Sequence, residues 1–275
     1  MDPKKVIWLL IVLRVQVLFY WLPQSLTGSQ KVVTLIKIIY QITLFKLKYP
    51  FVPIVFPFRF NKHCYLTYYS QGCQDVYISS LLFNVLENSK EISYIIDIGC
   101  NHPEHFSNSL FLEKYFGCKT IAIDPLHEFE AIWNLVRPNA KFIPAAIGNS
   151  EAIVKLNITD DNMFSALEGS NLKPLSRINS ERLIKLEKLS SIVTSLGINK
   201  ILLVCIDVEG FELEVLKSID FSSVEVKCFL IENNSRNLMG DEEIRVFLRE
   251  KGFMFYARFG YLDDLFINSN CHPNF

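Results

Sequence analysis

The sequence has no paired cysteine pattern. Its seven cysteines are odd in number and scattered along the chain, and no two of them are spaced as C-x-x-C. Secreted disulfide frameworks usually show even numbers of cysteines at regular spacings. The pattern therefore predicts a reducing, cytoplasmic compartment, in which most of the cysteines behave as small core residues.

The sequence also has no long apolar run without a polar interruption near its start. The best candidate, residues 6–22, contains Arg14 and Gln16. A bilayer span needs about 20 apolar residues, and a central arginine costs roughly 2.5–3.5 kcal/mol on insertion scales. Lys4 and Lys5 are typical of the start of a signal peptide, but no small-x-small cleavage motif follows them. Internal repeats and low-complexity tracts are absent as well.

Charge is divided unevenly along the chain. Residues 1–60 contain eight Lys or Arg and one Asp, whereas residues 61–275 contain 20 basic and 28 acidic side chains. A basic, apolar extension on an acidic globule indicates contact with an anionic membrane surface rather than with nucleic acid. Lys31, Lys37 and Lys48 lie on one stripe of an otherwise apolar helix, which is typical of an interfacial helix. Packing against the rest of the protein and a true membrane span are the two alternatives.

Prolines mark the end of this extension. Pro50, Pro53 and Pro57 are incompatible with a continuous helix and place a domain boundary near residue 60. Half of the chain is apolar, which is enough for one large α/β domain. We therefore expect an apolar, basic helical extension over residues 1–60 and a globular α/β domain over residues 61–275.

Residues 94–105 predict a nucleotide-binding edge of an open α/β sheet. The apolar run from Tyr94 to Ile98 is typical of a strand buried on both faces, and it stops at Gly99. Ser107 or Asn108 can cap the helix that follows. Asp124 ends the next apolar strand, where a carboxylate can hold ribose hydroxyls. Small residues at a third strand end, Ala145 and Ala146, leave room for a flat ring such as adenine.

A second informative stretch covers residues 201–210. Six apolar residues form a central buried strand, and Asp207 and Glu209 follow it directly. Ligands of open α/β sheets bind at the carboxyl ends of the strands, so these carboxylates are candidate catalytic residues. They need a cation, hydrogen-bond donors or water, because burial without a partner is costly. The alternative is a structural role in capping the next helix. Another apolar strand ends at Glu232.

Four stretches of this half resemble the FkbM-type methyltransferases, over roughly residues 65–268. The resemblance implies a Rossmann-like class I methyltransferase sheet, mostly parallel with a late antiparallel strand. It also implies S-adenosylmethionine as cofactor and, as methyl acceptor, a hydroxyl of a sugar, glycan, glycolipid or secondary metabolite. The matching stretches are Asp97-Ile-Gly-Cys-Asn-His-Pro103, Ile123-Asp-Pro125, Pro144-Ala-Ala-Ile-Gly148 and Ile206-Asp-Val-Glu-Gly-Phe-Glu-Leu-Glu-Val-Leu216.

The resemblance assigns roles to individual residues. It implies that Asp124 holds the ribose, that Ala146 lies near the adenine, and that Asp207 and Glu209 face the reacting centre. The methionine end of the cofactor is then lined by Asp97, Gly99 and Asn101, and the neighbouring motif residues Cys100 and Pro125 complete the cofactor-binding set. Three positions depart from the usual family pattern: Pro103, Ser109 and Cys205.

An alcohol acceptor needs a general base, for which Asp207 and Glu209 are the candidates and His102 or His105 the reserve. His102, Glu104 and His105 could also bind a metal, but Pro103 disturbs their helical spacing, and we predict no metal site. An NAD-dependent oxidoreductase is disfavoured because the Gly99 loop lacks Gly-x-Gly-x-x-Gly. The remaining alternative is an inactive methyltransferase-like scaffold at a membrane.

Overall fold

The structure is a computed structural model that describes residues 40, 47, 54–55, 68–88, 92–170, 176–233 and 241–270. Most of the predicted front end, including the stripe of Lys31, Lys37 and Lys48, lies outside these residues. Within it, Tyr40 and Leu47 are helical and exposed. Among the described residues, no helix is both long enough and apolar enough to cross a membrane. The division near residue 60 stays a prediction.

The rest of the described chain belongs to one compact unit, formed by Pro53–Asn234 and Gly240–Phe275. Strands and helices alternate along it. The strands are β1 (Ile54–Val55), β2 (Tyr94–Ile98), β3 (Lys119–Ile123), β4 (Lys141–Ile143), β5 (Ala146–Ile147), β6 (Ile153–Thr159), β7 (Ala166–Leu167), β8 (Ile178–Glu187), β9 (Lys200–Ile206), β10 (Glu225–Glu232), β11 (Phe253–Phe259) and β12 (Asp263–Asn268). The helices are α1 (Gln74–Leu81), α2 (Phe83–Asn88), α3 (Leu110–Phe116), α4 (Glu130–Val136), α5 (Leu189–Ser195), α6 (Glu212–Lys217) and α7 (Glu242–Glu250).

The main sheet has the strand order β1-β11-β12-β10-β9-β2-β3-β4 among the described residues. Its neighbouring strands are parallel except where β12 pairs with β10 and β11, to both of which it is antiparallel. The predicted α/β sheet, mostly parallel with a late antiparallel strand, is therefore confirmed and is consistent with a Rossmann-like fold. The carboxyl ends of β2, β3, β4 and β9 lie along one edge.

Alternate side chains of the central strands enter two separate cores, one on each face of the sheet. Ile96 and Val204 belong to the first apolar cluster, whereas Ile95, Leu203 and Cys205 belong to the second. Successive residues of a strand point to opposite faces, and a strand covered on both faces must be apolar throughout. This explains the uninterrupted apolar run of β9, in which all residues from 201 to 206 are buried.

A second, smaller sheet has the order β5-β8-β6-β7 in the described residues. The third strand predicted from the sequence, with Ala145 and Ala146 at its end, is divided in the structure into β4 of the main sheet and β5 of the small sheet. Pro144 separates the two because it has no N–H to donate to a neighbouring strand. Ala145 instead donates its N–H to the Ile143 carbonyl (2.9 Å). The chain thereby leaves the main sheet at the place where the site begins.

Candidate active site

A cavity of about 390 Å³ lies at the carboxyl ends of the parallel strands. This volume is in the range of small-molecule and cofactor sites, roughly 300–1,000 Å³. The loops after β2, β3, β4 and β9 contribute its wall, together with the segment between β6 and β7. The lining residues discussed below are Gly99, Cys100, Asn101, His102, His105, Phe106, Asp124, Pro125, Leu126, Ala145, Ala146, Leu156, Leu167, Asp207 and Glu209.

Gly99 lies where the backbones after β2 and β9 come closest. Its φ angle is +76°, and a Cβ atom at this position would lie 1.7 Å from the Asp207 carbonyl oxygen. Gly99 donates its N–H to the Ile123 carbonyl (2.8 Å), and Asp207 donates its N–H to the Ile98 carbonyl (3.0 Å). Only glycine fits both the conformation and the space. The turn therefore brings the ends of β2, β3 and β9 together at the cavity floor.

Asp124 fixes the loop opposite this turn. Its two carboxyl oxygens accept the N–H groups of Asn101 and Leu126, each at 2.9 Å. Trp133 holds the same loop by donating Nε1–H to the Asn101 carbonyl (2.7 Å). Burial raises the pKa of Asp124 to about 6, although both backbone donors act in the opposite direction. Each carboxyl oxygen retains a lone pair for a hydroxyl of a bound ligand.

Apolar side chains form the neighbouring wall. Leu126, Ala146, Leu156 and Leu167 pack in one cluster at the junction of the loop after β3 with the small sheet. All four line the cavity, as Ala145 does. The small alanines leave space beside Asp124 for a flat ring, and the leucines provide an apolar surface for it. The predicted position of Ala146 near an adenine is compatible with this geometry.

Asp97 lies behind the cavity wall rather than on it. It is 5% exposed, and its Oδ2 accepts the hydroxyl hydrogen of Ser109 (2.5 Å). Burial raises the pKa of Asp97, which the Ser109 hydrogen bond and the charge of Arg137 lower. The carboxyl therefore supports the loop between β2 and α3 from inside the protein.

Arg137 is the centre of this support and was not among the residues predicted from the sequence. Its guanidinium donates to the Pro103 carbonyl (3.2 Å) and to the hydroxyls of Ser107 and Ser109 (3.1 Å each). It also pairs with Glu113 at 2.5 Å and is almost completely buried. Ser107 accepts the Leu110 N–H (3.2 Å), but the N-cap residue of α3 is Ser109 and not Ser107 or Asn108 as predicted. No local sequence signal distinguishes Arg137, because its partners are distant in the chain.

Three carboxyl groups meet at the ends of β9 and β10. Asp207 and Glu209 follow β9, and Glu232 ends β10; an oxygen of each lies within 4.8 Å of an oxygen of the others. Ile206 pairs with Ile231 across the two parallel strands, so the next residues, Asp207 and Glu232, are neighbours. The sequence pattern predicts Glu232 as a strand end but not as a member of the site.

Mutual repulsion and burial make these carboxyls weak acids. Burial of its carboxyl group at the cavity floor, where protein atoms replace bulk water, raises the pKa of Asp207 well above its usual range. The charges of Glu209 and Asp263 raise it further. The Asp207 surface nevertheless remains exposed, because it faces the open cavity and not the packed interior. The pKa of Glu209 is raised to about 7, first by burial and then by Glu212. Both carboxyl groups are thus accessible to a ligand and have unusually high pKa values.

The structure brings most of the predicted site residues together. Gly99, Cys100, Asn101, Asp124, Pro125, Ala146, Asp207 and Glu209 line the same cavity. Asp97 is the one predicted site residue that does not line this cavity. His102 and His105 lie at the cavity wall with their rings 4.4 Å apart. The individual roles in binding and catalysis stay predictions.

Comparison with known families gives one match. The model of the methyltransferase FkbM domain matches residues 97–255, a range that begins in β2 and includes both the Gly99 turn and the Asp207 turn. The match covers more than half of the chain. No curated protein and no solved structure matches.

Proposed function

The chain belongs to the FkbM methyltransferase family and is a methyltransferase, and from this premise we propose that it methylates a hydroxyl group with S-adenosylmethionine as donor. The acceptor class is a sugar, glycan, glycolipid or secondary metabolite. The observation that carries the proposal is the cavity itself, in which a close glycine turn, a buried ribose-type carboxylate and two high-pKa carboxyls share one edge of the sheet.

The residues present fit the proposed cofactor. Gly99 lets the backbones after β2 and β9 meet at the cavity floor and itself lines the cavity, and Asp124 offers acceptor lone pairs to ribose hydroxyls. Ala146 and Leu126 offer an apolar surface to the adenine ring. When bound, S-adenosylmethionine supplies a methyl group on a positively charged sulfur. Carboxylates at the floor attract such a positive charge and repel the anionic pyrophosphate of a dinucleotide.

Asp207 and Glu209 are the candidate bases for the acceptor hydroxyl. A general base is most effective when its pKa is near the working pH, and the pKa of Glu209 is about 7. The raised pKa of Asp207 likewise makes that carboxylate more basic than an exposed aspartate. Both lie on the turn after β9, where Glu209 and Gly210 have positive φ angles of 55° and 98°. This turn presents the two acids to the same cavity as Asp124.

The acceptor side lies at the more open part of the cavity. His105, Phe106 and Met163 line it and are exposed. Aromatic and imidazole side chains at an open rim suit a polar acceptor such as a sugar ring, which stacks on aromatic faces and accepts or donates hydrogen bonds. His102 and His105 are the reserve candidates for proton transfer.

We further propose that residues 1–60 bring this cytoplasmic enzyme to an anionic membrane surface. The proposal depends on their composition alone, with eight basic residues against one acidic residue in a strongly apolar segment. An acceptor that is part of a glycolipid would then be present in the same membrane.

The experiment has two steps with the full-length chain. Isothermal titration calorimetry should show micromolar binding of S-adenosylmethionine and of its demethylated product; heat with NAD instead would overturn the proposal. Labelled-methyl transfer to a panel of glycans, glycolipids and small alcohols should then identify an acceptor. Asp207→Asn should lower turnover far more than cofactor affinity. Binding of the cofactor without transfer to any hydroxyl compound would favour the inactive scaffold.

A further inference from the structure

The acidic cluster at the ends of β9 and β10 brings together more carboxyl groups than the hydrogen-bond donors around it can satisfy. Asp207 and Glu232 hydrogen-bond to each other, and burial raises the pKa of both. Two adjacent carboxyls can do this only by sharing a proton, since two carboxylates repel each other. Asp263, at the antiparallel neighbour β12, adds a further negative field to Asp207.

One oxygen of the cluster has no partner at all among the described residues. The Oε2 atom of Glu232 is buried and receives no hydrogen bond from them. A buried acceptor without a partner costs about 1–3 kcal/mol, and a charged one costs more. The unpartnered atom belongs to the carboxyl group of Glu232, which contributes an oxygen to the group of three within 4.8 Å of one another. A cation in their midst would satisfy it.

The nearby backbone donors are already used elsewhere. Val208 and Gly210 donate their N–H groups to Glu212 Oε1, at 3.1 and 2.9 Å. Asp207 donates its own N–H to the Ile98 carbonyl. None of these three amide hydrogens is therefore donated to the three converging carboxyls. The convergence of the three carboxyls is therefore not explained by hydrogen bonds from the N-terminus of a helix or from the backbone of the turn.

We propose that Asp207, Glu209 and Glu232 together bind a divalent metal ion, with Mg²⁺ as the preferred class. Three carboxylate oxygens are hard ligands, and Mg²⁺ and Ca²⁺ take oxygen ligands at about 2.0–2.6 Å, so that oxygens on opposite sides lie about 4–5 Å apart. The three oxygens all lie within 4.8 Å of one another, which is compatible with this requirement. Soft ligands are absent from the cluster, which disfavours zinc or copper.

The position of the site gives the ion a role in the proposed methyl transfer, on which this part of the inference rests. Asp207 faces the open cavity, so the ion keeps coordination positions on that side for water or for hydroxyls of the acceptor. A bound cation lowers the pKa of a coordinated hydroxyl and orients it. An acceptor with two neighbouring hydroxyls would occupy two such positions, which favours a sugar or another diol over a simple alcohol.

Metal binding is tested directly with Mn²⁺ on the full-length chain after treatment with a chelator, in the absence of cofactor and acceptor. Electron paramagnetic resonance should show one bound Mn²⁺ per chain that Mg²⁺ displaces. Glu232→Gln should weaken Mn²⁺ binding by at least about tenfold, which corresponds to roughly 1.4 kcal/mol. The matched control is Glu214→Gln, which removes the same charge from the half-exposed pair with Lys217 and should leave Mn²⁺ affinity unchanged.

Two results would overturn the metal site. One is the absence of Mn²⁺ binding at millimolar concentration, and the other is an equal affinity in the wild type and Glu232→Gln. If Glu232→Gln fails to fold, Asp207→Asn provides the same comparison. Calorimetry of S-adenosylmethionine binding in the presence of EDTA separates the two proposals. Cofactor binding without Mn²⁺ binding rejects only the metal site, whereas Mn²⁺ binding without cofactor binding rejects only the proposed function.

Discussion

At the scale of single residues, Gly99 is required both by its backbone conformation and by its close contact with the Asp207 carbonyl. Gly99 and Gly117 both have positive φ angles, +76° and +67°, but a Cβ atom at Gly117 would meet nothing within 4 Å. Gly117→Ala should therefore cost only the conformational term, about 1–2 kcal/mol. Gly99→Ala should lose more than about 4 kcal/mol of unfolding free energy, because the new methyl group overlaps the Asp207 carbonyl. Urea denaturation of both variants measures the difference, and equal losses would contradict the close contact.

Asp124 tests the cofactor site at the same scale. Asp124→Asn keeps the size of the side chain but removes one charged acceptor from the proposed ribose. We expect S-adenosylmethionine binding to weaken by about 1–3 kcal/mol in calorimetry. Glu128→Gln is the control, because Glu128 is about half exposed and pairs with Arg182 outside the cavity. An unchanged affinity in Asp124→Asn would remove the carboxylate from the cofactor site.

At the scale of elements, the loop between β2 and α3 depends on Arg137, which belongs to the end of α4. Arg137→Met would leave Glu113 without its buried partner and would remove the donors to Pro103 and Ser109. Removing one member of a buried ion pair costs about 3–5 kcal/mol. Arg182→Met, at an exposed pair with Glu128, should cost less than about 1 kcal/mol. Similar urea midpoints for the two variants would show that the Arg137 network does not stabilise the fold.

The small sheet is the part of the fold that leaves the weakest signal in the sequence. β8 has only one buried residue, Leu186, in ten positions, so neither an apolar run nor a clean alternation marks it. Its pairing with β6 and β5 is a long-range property. By contrast, β2 and β9 are short apolar runs that end in glycine or acidic turns, and their identification needed no tertiary information. Burial on both faces leaves a strong composition signal, whereas an exposed strand leaves a weak one.

At the scale of the whole molecule, the raised pKa values predict a loss of stability with rising pH. The pKa values of Asp124 and Asp263 are about 6 and that of Glu209 is about 7, all above the ordinary values for these acids. Between pH 5 and 8 the folded state therefore binds more protons than the unfolded state, so the free energy of unfolding falls as pH rises through the folded pKa values. The melting temperature of the metal-free, cofactor-free chain should be lower at pH 8 than at pH 5.5, by at least about 3 °C.

The variant Glu209→Gln checks this assignment. It removes one of the groups that titrate in the window, so the change in melting temperature between the two pH values should be smaller than in the wild type. Glu214→Gln should leave the change unaltered. Acids whose pKa is lowered, such as Glu128 at about 2, titrate below the window and do not contribute. A melting temperature that rises with pH over this range would contradict the prediction.

The basic front end is a second property of the whole chain. If residues 1–60 contact an anionic surface, the full chain should co-sediment with vesicles that contain anionic lipid, and a chain that begins at residue 53 should not. Residue 53 is chosen because the compact unit begins there and β1 begins at the next residue, Ile54. Each lysine near the surface contributes about 1 kcal/mol, and salt screens the attraction. Retention that resists both salt and alkaline carbonate would instead indicate a span.

The sequence by itself determined the alternation of strands and helices, the two turns at Gly99 and Asp207 that carry the site residues, and the family. Gly99, Asp124 and Asp207 each follow a buried apolar strand, and parallel strands bring their carboxyl ends to one edge, so local patterns were enough to collect these residues in one cavity. Tertiary structure decided which neighbours complete the site. It placed Asp97 behind the wall, made Arg137 the anchor of a loop some 30 residues earlier in the chain, and set Glu232 beside Asp207. The physical reason is that hydrogen bonds and charge interactions depend on distance in space, while sequence periodicity reports only which face of its own element a side chain occupies.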